Sequence, residues 1–105
     1  MKDTNLQVQH SMLVWLKEPN NVEKMERLNA ALAEIRNIKG VTQVLFGLKI
    51  AEFGGPNQEI NYGWTITFEN ANAVKHYLNH HIHIQAAQIA MSLCTKVIGG
   101  FFQVE

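Results

Sequence analysis

Residues able to move protons or hold a metal concentrate in one stretch, Val74 to Ala86, which reads VKHYLNHHIHIQA. It contains His76, His80, His81 and His83, four of the chain's five histidines, together with Tyr77. The fifth, His10, opens a strand-like run near the N-terminus. Imidazole titrates close to neutrality, so such a cluster beside a phenol can bind metal, transfer protons or hydrogen-bond a ligand. One unbroken helix over 71–93 would align His76, His80 and His83 at i, i+4 and i+7, an arrangement able to hold zinc. A break near His80–Ile82 would scatter them and leave His83 in the first turn of a new helix. There the macrodipole disfavours added positive charge, and a neutral imidazole is what a general base requires. A plainer alternative is a set of solvated histidines with no role.

Other chemistry is thinly represented. Cys94 ends the run Ile89-Ala90-Met91-Ser92-Leu93-Cys94, which reads as a buried helix face and so as a structural thiol, not a nucleophile. A single cysteine excludes an intramolecular disulfide and fits a reducing compartment. Gly54-Gly55-Pro56-Asn57 is a turn signal; it lacks the Lys-Ser/Thr continuation of a phosphate loop.

The elements that must position these residues can be read from periodicity. A chain of 105 residues with 47% apolar content suits one domain, 1–105, with one core. Leu6 to Lys17 alternates as a strand: Val8, His10, Met12, Val14 and Leu16 lie on one face, Ser11, Leu13, Trp15 and Lys17 on the other. Asn20 or Asn21 can cap an amphipathic helix over Val22–Ile38, which Gly40 would stop. A second strand spans Val41–Phe53, with Val44, Phe46 and Leu48 on one face. A third runs over Ile60–Glu69, with Tyr62, Trp64, Ile66 and Phe68 together. Asn70 caps a helix whose buried stripe is Val74, Tyr77 and Leu78, and a second helical pattern covers Ile82–Leu93. Lys96–Val104 is a last strand, in which Gly99-Gly100 allows a bulge or a close backbone approach.

The order β-α-β-β-α-α-β implies an α+β split-βαβ arrangement, an antiparallel sheet with helices on one face. Its other face, with Leu13, Trp15, Leu45 and one of Phe101 and Phe102, needs a cover, which predicts a homodimer. Lys+Arg and Asp+Glu both number 9, which argues against a nucleic-acid partner and a polybasic membrane anchor. MKDTNLQ is polar with no apolar h-region behind it, so a cytoplasmic protein is expected.

Several segments together resemble the Dabb family, the stress-responsive dimeric α/β-barrel domains. They are Val8-Gln9-His10, Gly40-Val41, GWTITFE over Gly63–Glu69, and above all Tyr77-Leu78-Asn79-His80-His81-Ile82-His83. The last is similar to a Y-x-x-H-P-x-H signature, with His81 in place of proline. The resemblance implies a ferredoxin-like protomer, a dimer that closes a barrel, and a cavity between sheet and helices. It also argues for the helix break, so no metal site is expected. In members that cyclise polyketide chains the second signature histidine is the base and the tyrosine assists. By position these are His83 and Tyr77, with His10 facing them and Tyr62 where such cyclases carry a third-strand histidine.

Two functions follow. The first is a small-molecule enzyme acting without a cofactor, in enolisation or aldol-type closure of a polyketide-like β-carbonyl substrate. His83, Tyr77 and His10 would be catalytic, and Tyr62, Trp64, Met12, Val14, Phe46 and Phe68 would bind substrate. The second is a non-catalytic small-ligand binder or stress-related oligomer, in which the same polar groups only satisfy one another.

Overall fold

The computed structural model describes residues 5–53 and 59–105; the turn at Gly54-Gly55-Pro56-Asn57 lies outside the described residues. Strand β1 spans Val8–Leu16, helix α1 Val22–Glu34, β2 Val41–Leu48 and β3 Tyr62–Phe68. Helices α2, Ala71–Leu78, and α3, His81–Leu93, lead into β4, Cys94–Gln103. The strands form one sheet in the order β2-β3-β1-β4, every neighbouring pair antiparallel. This is the α+β split-βαβ arrangement expected from the element order, and the ferredoxin-like protomer that the resemblance implies.

Register explains which side chains share a face. His10 stands between Ile66 and Phe101, Met12 between Trp64 and Gly99, and Val14 between Tyr62 and Val97. The alternation of β1 therefore extends across the sheet as apolar rows. Val14, Ile66, Phe68 and Val44 are buried on the helix-covered face with Leu28, Leu32, Tyr77 and Ala90 from the helices. Burial of these aliphatic and aromatic groups is the main source of stability. On the opposite face Leu13, Leu45 and Phe102 remain 47%, 55% and 58% exposed.

Each helix start has a chemical cause. Asn21 accepts from Lys24 N–H and Asn70 from Ala73 N–H, both at 3.0 Å, as N-caps do. The break before α3 falls at Asn79–His80, where His80 is itself the N-cap: its Nδ1 accepts from Ile82 N–H at 3.1 Å. His81 is then the first helical residue, the position at which proline is best tolerated.

Some sequence expectations need correction. The first helix ends at Glu34, not Ile38, because Ile35–Asn37 tightens into a 3₁₀ turn. The second strand ends at Leu48, and Ala51–Phe53 is another 3₁₀ turn. In α2 the buried residues are Ala73 and Tyr77, while Leu78 is exposed in its last turn. Cys94 is buried as expected but is the first residue of β4, two residues before the anticipated strand start. At Gly99 the close approach is the observed alternative. A Cβ there would meet Ser11 O at 2.1 Å and Met12 Sδ at 2.5 Å, and the register shift lies instead at Trp15/Leu16. Among the described residues no helix is long and apolar enough to cross a membrane.

Candidate active site

Three elements bring His10, Tyr77 and His83 to one cavity of about 140 Å³. Strand β1 supplies His10 from the inner face, α2 supplies Tyr77 one residue before its end, and α3 supplies His83 in its first turn. Met12, Leu32 and Trp64 form the apolar wall, and Ala86, Ala87, Ala90 and Met91 of α3 close the remaining side.

His83 is oriented by the chain just before it. Its Nδ1 lies 3.3 Å from the Leu78 carbonyl oxygen. A carbonyl only accepts, so Nδ1 carries the hydrogen and Nε2 keeps the lone pair. Desolvation holds the imidazole below its ordinary pKa, partly offset by that hydrogen bond, which favours the charged form. The Tyr77 ring sits 4.2 Å from the His83 ring, tilted by 40°, and is backed by Phe68 at 4.8 Å. Burial pushes the Tyr77 phenol well above its ordinary range, so it is a protonated hydrogen-bond donor.

His10 is the most perturbed imidazole. Burial, and to a lesser extent the neighbouring His83, lower its pKa to about 4. Phe101 covers it, the rings stacked 4.0 Å apart and 4° from parallel, while Tyr77 meets it edge-on at 6.3 Å. Its Nδ1 is buried without a hydrogen-bond partner among the described residues, a costly condition in a core.

Of the residues expected to contact substrate, Met12 and Trp64 line this cavity and four others do not. Tyr62 is turned toward α1, its hydroxyl donating to Asn29 Oδ1 at 2.5 Å. Val14 is fully buried opposite it. Phe46 lies beneath the Arg36 guanidinium, 5.6 Å from the ring centroid, and Phe68 stands behind Tyr77. The helix break also removes the alignment that a zinc site required. His76, His80 and His81 form a separate surface row, with ring separations of 5.6 and 4.6 Å, while His83 turns inward. Sequence reading missed Phe101 as the cover of His10, Asn29 as the partner of Tyr62, and the alanines of α3. The alternation of β4 about Gly99 puts Phe101 inside and Phe102 outside, a signal that becomes decisive only once the β1–β4 register is known.

The model of the stress responsive A/B barrel domain, Dabb, matches residues 8–99. The chain belongs to the Dabb family. A search of curated proteins gave no match. Among solved structures, a dimeric ferredoxin-like protein of unknown function from Thermobifida fusca matches with TM-score 0.80 and 14% identity, covering 99% of this chain and 96% of that one. An Arabidopsis thaliana protein matches with TM-score 0.80 and 25% identity, covering 93% and 95%. The hydroxynitrile lyase of Passiflora edulis matches with TM-score 0.84 and 12% identity, covering 96% and 95%. At such identities the lyase and the T. fusca protein speak for the fold alone. In this Dabb chain His81 occupies the signature's proline position, and His80 secures the helix start that proline would otherwise favour.

Proposed function

We propose that this protein is a small-molecule enzyme whose own side chains move a proton at a carbon next to a carbonyl. Its reaction would be an enolisation or an aldol-type closure of a β-carbonyl substrate. The observation that carries the reading is the convergence of His10, Tyr77 and His83 on one cavity, with the His83 lone pair on Nε2. In the proposed reaction His83 Nε2 takes the α-proton and the C–H electron pair moves onto the carbonyl oxygen. The Tyr77 hydroxyl donates a hydrogen bond to the enolate oxygen. The enolate carbon then attacks a second carbonyl, and the His83 imidazolium returns its proton to the resulting alkoxide. His10, neutral under Phe101, receives a polar group of the substrate. The fold likeness to a hydroxynitrile lyase supports the view that such a scaffold carries small-molecule chemistry.

The cavity volume favours the second, non-catalytic reading, and within it the stress-related oligomer over the ligand binder. About 140 Å³ is below the ~300–1,000 Å³ usual for ligand pockets. Assays of His83→Gln and Tyr77→Phe against a panel of β-dicarbonyl compounds separate the two. The enzyme reading expects both variants to keep their melting behaviour and lose ~10²-fold or more in rate. Wild-type protein inert on the whole panel would leave the second reading in its place, and a fully active His83→Gln would overturn His83 as the base. We also propose a homodimer through the uncovered sheet face, as its ferredoxin-like neighbour from T. fusca is dimeric.

A further inference from the structure

Resting on that reading of the cavity, we infer that it takes an uncharged, ring-sized carbonyl compound or segment, and that Ala86, Ala87 and Ala90 set this size limit. The half-open space, about 140 Å³, is close in volume to the ~150 Å³ that holds benzene in an apolar protein cavity. A longer β-carbonyl chain therefore has only its reacting end enclosed. The rest leaves past Met91, which lines the cavity and is 55% exposed.

Charge is excluded by the same lining. Among the described residues it contains no Lys, Arg, Asp or Glu, and its polar side-chain groups are those of His10, Tyr77 and His83 with the Trp64 indole N–H. Burial holds both imidazoles below their ordinary pKa, which favours their neutral forms. Two N–H groups at the start of α3 are also committed: Ile82 N–H bonds His80 Nδ1 and Ile84 N–H bonds the His80 carbonyl. A carboxylate entering here would lose its hydration without gaining a cation, and an ammonium would find no carboxylate. The alanines matter because a larger side chain on this face of α3 occupies the space directly.

Binding, read apart from turnover, tests this. Full-length protein at pH 7.5 is titrated by ligand-observed NMR with acetophenone, benzoate, benzylammonium and 2-acetylnaphthalene. We expect saturable binding of acetophenone, with benzoate and benzylammonium at least tenfold weaker. Ala90→Leu should abolish acetophenone binding, and Ala87→Leu, at a less buried position, serves where Ala90→Leu fails to fold. Met91→Ala should improve binding of 2-acetylnaphthalene relative to that of acetophenone. Benzoate binding as tightly as acetophenone, or folded leucine variants binding it unchanged, would overturn the inference. Size-selective binding without turnover would instead defeat the enzyme reading and leave this one standing.

Discussion

His10 couples the site to acid stability. The folded chain holds its imidazole at about 4, chiefly through burial and secondarily through His83. Unfolded, the group titrates near 6.5. Between these values the unfolded state binds the extra proton, so stability is full above about pH 6.5 and falls as pH drops toward 4. The loss is at most about 3.5 kcal/mol, at about 1.4 kcal/mol per pKa unit, and less because the ring is only partly buried. His83, also depressed, acts in the same direction. Phe101→Ala should raise the His10 titration midpoint toward 6.5 and flatten this acid loss; an unchanged NMR titration would show that Phe101 is not the shield. At this scale the sequence revealed His10, Tyr77 and His83 because their chemistry and spacing are local. The cover on His10 was hidden, since it depends on pairing with a strand at the far end of the chain.

The short connection between α2 and α3 fixes the site's geometry. His80 caps one helix while Leu78, at the end of the other, orients His83. The break was legible from the family signature, but not its cap, because histidine is an uncommon N-cap residue. His80 is extended at φ −81 and ψ 137, a conformation that suits a residue preceding proline. His81→Pro should therefore keep the fold and stabilise it by ~0.5–1 kcal/mol, a rise of a few degrees in Tm. A fall in Tm would mean that the His81 N–H or side chain matters more than its backbone position. Gly40 illustrates a constraint read only partly from sequence. It stands at φ +93, and a Cβ there would sit 2.5 Å from Ala73 Cβ. Gly40→Ala should cost more than ~1 kcal/mol through strain and collision, measurable by urea denaturation. The misplaced ends of α1 and β2 have one cause: 3₁₀ turns carry apolar residues such as Ile35 beyond the regular element.

The whole molecule has one sheet face packed by helices and another left apolar. The sequence pattern gave away both faces, because alternation placed Leu13, Trp15 and Leu45 together. It could not say which terminal phenylalanine joins them until pairing put Phe102 beside Gln9. Sedimentation at micromolar concentration should show a dimer, and Leu13→Lys with Phe102→Lys should shift it toward monomer. A wild-type chain that sediments only as folded monomer would refute the facing-sheet arrangement. The central claim, that His83 removes a proton from carbon in the cavity, has a direct measurement that needs no native substrate. In D₂O at neutral pD, ¹H NMR follows exchange of the α-hydrogens of acetophenone with wild-type protein and with His83→Gln. Wild type should exchange them well above the buffer rate, and the variant ~10²-fold or more slowly at unchanged Tm. Exchange at the buffer rate with wild type, or equal acceleration by His83→Gln, would contradict that claim.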